Sequence, residues 1–346
     1  MNKKLLAVAV GAALAASAGI SQADVKVYGV AHVSVDYVDM DLVAPAEVTN
    51  PWNVADNSSR FGIKVSEDLG SGFTGLAQFE IFVDNTDGTT VNSNRDNWVG
   101  IGQKAAGNLL LGRRDSAEKD VGGIADLFTR EQLGESRAIT NYGGGDARNN
   151  ESVSFESAKF GPVSFKLQWF ANDSQTNTNN GYNANVKVDM KPVTVGVAYW
   201  KTEATPTEDT DGYRLAVKAP VGPVTLAALY QQVNSIGGVV GADRSAYGLG
   251  VAFKFLGSNT VKAQYYVADT ADNAAPGTEN GANQLSVGYD FAFSKSTLVY
   301  VTYTKLTNDA NTAAWSIGGN GHGEAYASTV NGGEASGLSF GTRIVF

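Results

Sequence analysis

The sequence predicts an all-β fold, a transmembrane antiparallel β-barrel of sixteen strands that closes on itself. Three observations carry this. Apolar and polar residues alternate with a period of two through most of the chain, as strands between unlike media do. Short turns and long polar loops alternate between those strands. The chain also opens on an export signal, yet no later stretch has the length and apolarity of a membrane helix. In lipid every backbone polar group needs a partner, so a chain that spans without helices must close its sheet.

The export signal sets the compartment. Lys3 and Lys4 precede the apolar run Leu5–Ala16, and Ser21-Gln22-Ala23 has the small-x-small form of a cleavage site. Residues 1–23 therefore read as a secretory signal peptide, and 24–346 as one barrel domain. A membrane-spanning helix is the competing reading, but the run is short and mostly alanine. The chain of 346 residues has no cysteine, 40 glycines and 8 prolines. An exported chain without disulfides must be held by its own packing or by its medium. Lys3 and Lys4 are two of its 26 bases, so the remainder carries 24 bases against 35 acids, a charge of −11. Such a balance excludes a nucleic-acid partner.

The alternation starts at once. Val25, Val27, Gly29, Ala31, Val33, Val35 and Tyr37 share one face, and Lys26, His32, Ser34 and Asp36 the other. Ser59–Glu67 sets Phe61, Ile63 and Val65 against Arg60, Lys64 and Ser66, and 72–84 repeats the pattern. So do Val163/Phe165/Leu167/Trp169, Tyr213/Leu215/Val217 and Leu285/Val287/Tyr289/Phe291/Phe293. The final strand opposes Leu338, Phe340, Thr342, Ile344 and Phe346 to Ser339, Gly341 and Arg343. The parity is less clear in Arg95–Gln103, Asn183–Lys191 and Val193–Lys201.

Seven short connections (68–72, 104–108, 159–162, 191–192, 220–223, 256–259 and 294–296) alternate with eight longer polar ones. The latter run about 39–58, 85–94, 115–147, 171–182, 203–211, 234–243, 270–282 and 308–334. Fifteen connections join sixteen strands and put both termini on the short-turn rim. A soluble β-sandwich would also alternate. The barrel is favoured because the apolar faces persist throughout and aromatics gather beside the short turns. Phe253, Phe255, Phe291, Phe293 and Phe346 suit a membrane-interface girdle.

The stretch 109–156 stands apart. Strand-like ends, Leu109–Arg114 and Arg148–Glu156, enclose a long segment rich in charge. A loop this long inside a compact domain is functional or disordered. Val121, Ile124, Leu127, Phe128, Leu133 and Ile139 argue against disorder. It reads as a loop folded against a wall, carrying charge into a space.

Six features recur in order along the chain: Val25-Lys-Val-Tyr-Gly29, Ser59-Arg-Phe-Gly62, Trp98-Val-Gly-Ile101, Leu111-Gly-Arg-Arg114, the long third loop and the terminal Phe346. In these the chain resembles the general-diffusion porins of the Gram-negative outer membrane, which are trimers of sixteen-stranded barrels. The likeness covers the whole chain after the signal. The resemblance implies a third loop folded into the lumen, a homotrimer, and an assembly signal formed by Phe346, Ile344 and Phe340. It implies as partners outer-membrane lipid and lipopolysaccharide, the barrel-assembly machinery, and small hydrophilic solutes and ions. Enterobacterial relatives often carry Pro-Glu-Phe-Gly-Gly in the third loop, where this chain has Arg130-Glu-Gln-Leu-Gly134.

A pore needs no catalytic group, cofactor or metal; charge at a narrow point and the pore diameter set its selectivity. Arg60, Arg113, Arg114 and Arg148 can supply a positive wall, and Asp115, Glu118, Asp120, Asp126 and Glu131 the opposite side. Each either lines the gap or pins the loop by pairing. His32, Ser34 and Asp36 are spread along one strand face and so form a polar lumen wall rather than a hydrolase site. His322 sits in a Gly-rich outer loop and reads as solvated. Gly143-Gly-Gly-Asp146 reads as a turn, since it does not lead a strand into a helix. Loop acids at 39, 41, 47, 208, 209 and 211 show no ligand spacing.

The function that follows is a passive, water-filled channel, weakly cation-selective by its net charge. A substrate-selective channel for sugars or a nutrient anion is the alternative, and a barrel enzyme or adhesin a third. Tyr28, Trp200, Tyr266 and Tyr303 are too scattered for a sugar track.

Overall fold

The computed structural model describes residues 23–87, 91–92, 95–171, 180–203 and 208–346. Nearly all of the expected signal peptide lies outside these residues. The barrel strands are β1 Asp24–Met40, β2 Arg60–Gly70, β3 Phe73–Val83, β4 Asn97–Gln103, β5 Gly107–Asp115 and β6 Arg148–Ser157. They continue with β7 Val163–Phe170, β8 Gly181–Met190, β9 Val193–Thr202, β10 Thr210–Val221 and β11 Val224–Asn234. The last five are β12 Arg244–Phe255, β13 Asn259–Ala268, β14 Ala282–Ala292, β15 Thr297–Asn308 and β16 Glu334–Val345.

Each strand pairs antiparallel with its neighbour in sequence, and β1 pairs with β16 from Val30↔Val345 to Met40↔Ala335. Gly29 and Phe346 exchange both main-chain hydrogen bonds at 2.9 and 3.1 Å, so closure reaches the last residue. The sheet thus has no edge to satisfy in lipid. The short segment Trp52–Asp56 continues the line of β2 along β1. Both termini lie on the rim of short turns. There the hairpin between β2 and β3 turns through Ser71 and Gly72 at φ 54° and 80°, the positive values a tight hairpin needs.

The packing is inverted relative to a soluble protein. On β1, Val25, Val27, Val35 and Tyr37 are exposed, whereas His32, Ser34 and Asp36 are buried inward. The same parity holds at Leu167, Leu215, Leu285, Phe340 and Ile344, all exposed. Beside the short turns, Phe253 and Phe255 stack at 6.0 Å, and Phe291 and Phe293 meet edge-to-face at 4.8 Å. A second belt lies at the long-loop ends, including Tyr182–Tyr199 and Tyr213–Tyr230 at 6.2 and 6.1 Å. The eight steps from Tyr247 to Phe255 span about 26 Å of strand at ~3.3 Å each, or about 20 Å of membrane height at a strand tilt of ~40°, most of the apolar band of an outer membrane.

The third loop accounts for the unclear parity of Val193–Lys201. Residues 117–125 form helix α1 and Arg137–Thr140 a short turn of helix, α2, neither of which the sequence pattern indicated. Ser116 caps α1, its hydroxyl accepting from the Lys119 amide at 3.3 Å, and Glu118 and Asp120 occupy the first turn, where acids suit the helix dipole. The face Ala117, Val121, Ala125 packs on β8 to β11, where Gly196, Ala198 and Ala216 leave room. Leu133 and Ile139 join the same buried cluster with Leu306 and Ile317. The barrel therefore holds a small apolar core inside its lumen. A strand behind that core is apolar on both faces, so Val193–Lys201 shows no alternation.

Candidate functional site

Pinning comes before lining. Arg214 on β10 and Asp146 at the end of the third loop meet at 2.9 Å, both side chains wholly buried. The same guanidinium donates to the carbonyl of Glu118 at 2.9 Å and to Gln231. Arg130 reaches Asp146 from the other side. A Cβ at Gly122 would collide with both guanidiniums and force them to shift. Burial opposes the charge of Asp146, but Arg130 and Arg214 outweigh it and hold its carboxyl below the usual range. Asp126 closes the loop on itself by accepting from the Phe128 amide at 2.7 Å and from the Ser136 amide and hydroxyl at 2.7 and 2.6 Å.

The loop leaves a cavity of about 790 Å³ against one side of the barrel. Arg60, Arg95, Lys119, Arg130, Arg137 and Arg148 line it, with Lys159 and Lys187 further along. Its acids are Asp115, Asp120, Glu131 and Asp189. Several acids that neutralise the wall stand behind the bases. Arg95 pairs with Glu80 at 2.5 Å, Arg137 with Glu135 at 2.7 Å and Arg148 with Asp96 at 2.6 Å, and none of these acids lines the cavity. The water-facing surface is thus mainly cationic.

Two charge clusters line the cavity. Glu131 accepts from Arg60 at 2.6 Å and Arg343 at 3.0 Å, and lies 3.4 Å from His32. Burial opposes its ionisation, but His32 and the two guanidiniums outweigh that and hold the carboxyl well below its usual range. In the other cluster, Asp115 is 2.6 Å from Lys119 and 2.9 Å from Arg148. Burial pulls the Lys119 ammonium down to about 8.

The nine residues picked from the sequence therefore divide. Arg60, Arg148, Asp115, Asp120 and Glu131 line the cavity. Arg114 is buried beside Glu156 with its guanidinium 4.9 Å from the Trp98 ring centre, and Arg113 bonds Asn150; neither lines it. Glu118 is buried under α1, where desolvation pushes its carboxyl up to about 7. Asp126 is spent on the loop's own turn. Leu109 and Leu111 are exposed and Leu110 buried, so strand parity by itself separates Arg113 from Arg114, and the register shift beside them leaves its extra residue on β6, between Asn149 and Ser152. Arg95, Lys119, Arg130 and Arg137 line the cavity without having been picked. The last three were legible as loop charges, but their direction depends on α1 and α2.

Other sequence readings change as well. His322 is not solvated: it is fully buried, 2.9 Å from Asp36. The opening of the Gly143–Asp146 run does turn, with positive φ at Gly143 and Gly144. Phe340, Ile344 and Phe346 are exposed on the lipid face, at 45, 43 and 62 %.

Comparison with known proteins agrees with this architecture. The profile of the Gram-negative porin family matches residues 7–311. Outer membrane porin protein 32 of Delftia acidovorans is 27% identical over the full length of both chains. Major outer membrane protein P.IB of Neisseria meningitidis is 28% identical over 50% of this chain and 51% of its own. The solved anion-selective porin from Comamonas acidovorans superimposes with a TM-score of 0.79 at 23% identity, covering 94% of this chain and 100% of that one. Salmonella typhi OmpF, solved with daunomycin, gives 0.66 at 15% identity, covering 92% and 97%. With its closed sixteen-stranded barrel and inward third loop, the chain belongs to the Gram-negative porin family and is an outer-membrane channel protein.

Proposed function

We propose that the channel passes ions and small hydrophilic solutes passively and weakly prefers anions. The carrying observation is the placement of charge around the cavity, where arginines and lysines face the water and acids such as Glu80, Glu135 and Asp96 stand behind them. Charged groups at a narrow point act on a permeating ion more strongly than charges spread over the loops. This reading reverses the cation preference that the net charge of −11 suggests. One of the similar solved proteins is titled an anion-selective porin, which accords with it. The constriction in this reading is formed by Arg60, Arg95, Arg130, Arg137 and Arg148 against Asp115, Asp120 and Glu131.

The reading extends to assembly. The lipid face of β1 is smooth, with Val25, Val27, Gly29, Ala31 and Val33, and such a face packs closely on another barrel. A homotrimer with β1 near its interface follows, made after cleavage of residues 1–23. A sugar track is disfavoured because Trp200 and Tyr266 are buried under the third loop and Tyr303 faces lipid. Reversal potential across a potassium chloride gradient tests the selectivity. Chloride preference is expected, and a potassium-selective parent channel overturns this reading.

A further inference from the structure

The last long connection, residues 309–333, does not stay above the mouth. Ser316–Gly318 and Ala325–Ala327 pair as a small hairpin whose tip enters the barrel. Asn320 and Gly323 line the same cavity as Arg60 and Glu131. Two positions of the tip leave no room for a side chain. A Cβ at Gly321 would strike the carbonyl of Arg130, and one at Gly323 the carbonyl of Asp56.

The tip is held by three elements. Ser58 donates to the carbonyl of Gly321 at 2.8 Å. The amides of Gly321 and His322 donate to one oxygen of Glu135, in the third loop, at 2.7 and 3.1 Å. The imidazole of His322 places Nε2 2.9 Å from the Asp36 carboxylate, off the axis of a straight hydrogen bond, and Nδ1 3.1 Å from the carbonyl of Glu324. Both nitrogens thus face oxygens that can only accept, which calls for the doubly protonated ring. Burial opposes that charge, but Asp36 outweighs it and keeps the imidazole above its ordinary range. The other titratable groups facing it are Glu135, Tyr326 and, beyond, His32; Tyr326 also donates to Asp36 at 3.0 Å.

We propose that residues 318–324 form a second wall of the constriction, a glycine-rich finger locked by His322 onto Asp36, and that releasing this lock widens the passage. His322 is a positioning residue: it touches no solute, and it sets where Asn320 and the loop carrying Glu131 stand. The inference rests on the cavity being the permeation path. The finger is locked while the imidazole is charged, and it loosens as pH rises through the ring's elevated pKa.

Exclusion of graded polyethylene glycols, read on single channels in planar bilayers, measures width independently of charge. This matters because Lys119 also loses charge in the alkaline range. At neutral pH, His322→Gln should admit larger polymers and raise conductance about twofold, as expected if pore diameter governs flux. The parent should approach that state at alkaline pH. The chain has no cysteine, so Asn141→Cys and Asn320→Cys, whose parent amides bond each other, can be bridged by a short bis-methanethiosulfonate reagent, each thiolate displacing methanesulfinate to form a reducible disulfide. The bridged channel should show no alkaline widening, and cleaving the linker should restore it. If His322→Gln does not assemble, the bridged and unbridged channels decide alone. Identical cutoffs in parent and His322→Gln at both pH values, with channels open, overturn the finger. An assembled barrel that conducts nothing overturns the permeation path itself.

Discussion

Arg214 and Asp146 meet at 2.9 Å inside the barrel with neither side chain exposed to solvent. Wall and loop are joined there by charge, in a space that a water-filled tube would leave open. Breaking a buried pair by removing one partner costs about 3–5 kcal/mol, since the other charge is left uncompensated. Asp146→Asn should therefore free the third loop. Bilayer recordings should show larger and noisier conductance, and heated gels an earlier loss of the folded band. Unchanged recordings would mean that the apolar contacts of Val121 and Ala125 hold the loop unaided.

Selectivity should follow the cavity rather than the sequence motif. Neutralising Arg60, Arg137 or Arg148 with glutamine should shift the reversal potential toward cations, and Glu131→Gln should shift it toward anions. Arg113→Gln and Asp126→Asn should leave it near the parent value, because neither side chain lines the cavity. All shifts should shrink as salt rises, since screening acts over about 10 Å at 0.1 M. A large shift for Arg113→Gln with none for Arg60→Gln would place the permeation path elsewhere.

Glu118 provides a pH test of loop stability. Desolvation raises its carboxyl from 4.5 to about 7, and its Oε2 lacks a hydrogen-bond partner. A raised acid favours folding when protonated. The contribution is complete below pH 4.5 and is lost as pH rises through 7. Glu118→Gln should match the parent at acid pH and be more stable on the alkaline side, by about 3 kcal/mol at ~1.4 kcal/mol per pH unit. Thermal unfolding of the folded band at the two pH values checks this, and equal stability at both excludes a buried titrating carboxyl.

Lys119 should act on permeation in the same range. Its ammonium lines the cavity and is lowered to about 8. Anion preference should fall between neutral and mildly alkaline pH, and Lys119→Gln should remove that part of the profile. A parent whose reversal potential is flat across this interval would contradict the assignment.

Closure gives the last test. Gly29 and Phe346 exchange both main-chain hydrogen bonds, and the Phe346 ring occupies the space where a Gly29 side chain would stand. Deleting Phe346 removes the final rung and an exposed aromatic of the lower belt. Folded barrel recovered from outer membranes should drop severalfold, as expected when a barrel is left with an unpaired edge. Normal yield would deny the terminal residue any role in assembly.

The sequence by itself determined the barrel. The alternation of Val25 to Tyr37, the seven short turns and the terminal run Phe340, Ile344, Phe346 are local patterns. Lipid outside and water inside write them directly into residue parity. It also located the charged third loop, since no strand pattern fits between Asp115 and Arg148. Only the tertiary structure decided which charges face the water. Arg60 and Arg114 share the inward parity of their strands, yet one lines the cavity and the other is buried against Glu156 and Trp98. Glu118 and Lys119 are adjacent, yet α1 turns one into the wall and the other into the lumen. His322 reads as a loop residue until Asp36, 286 positions earlier, is brought to 2.9 Å. Direction inside a lumen depends on helix phase and on contacts between distant loops, and neither is carried by the period of a single strand.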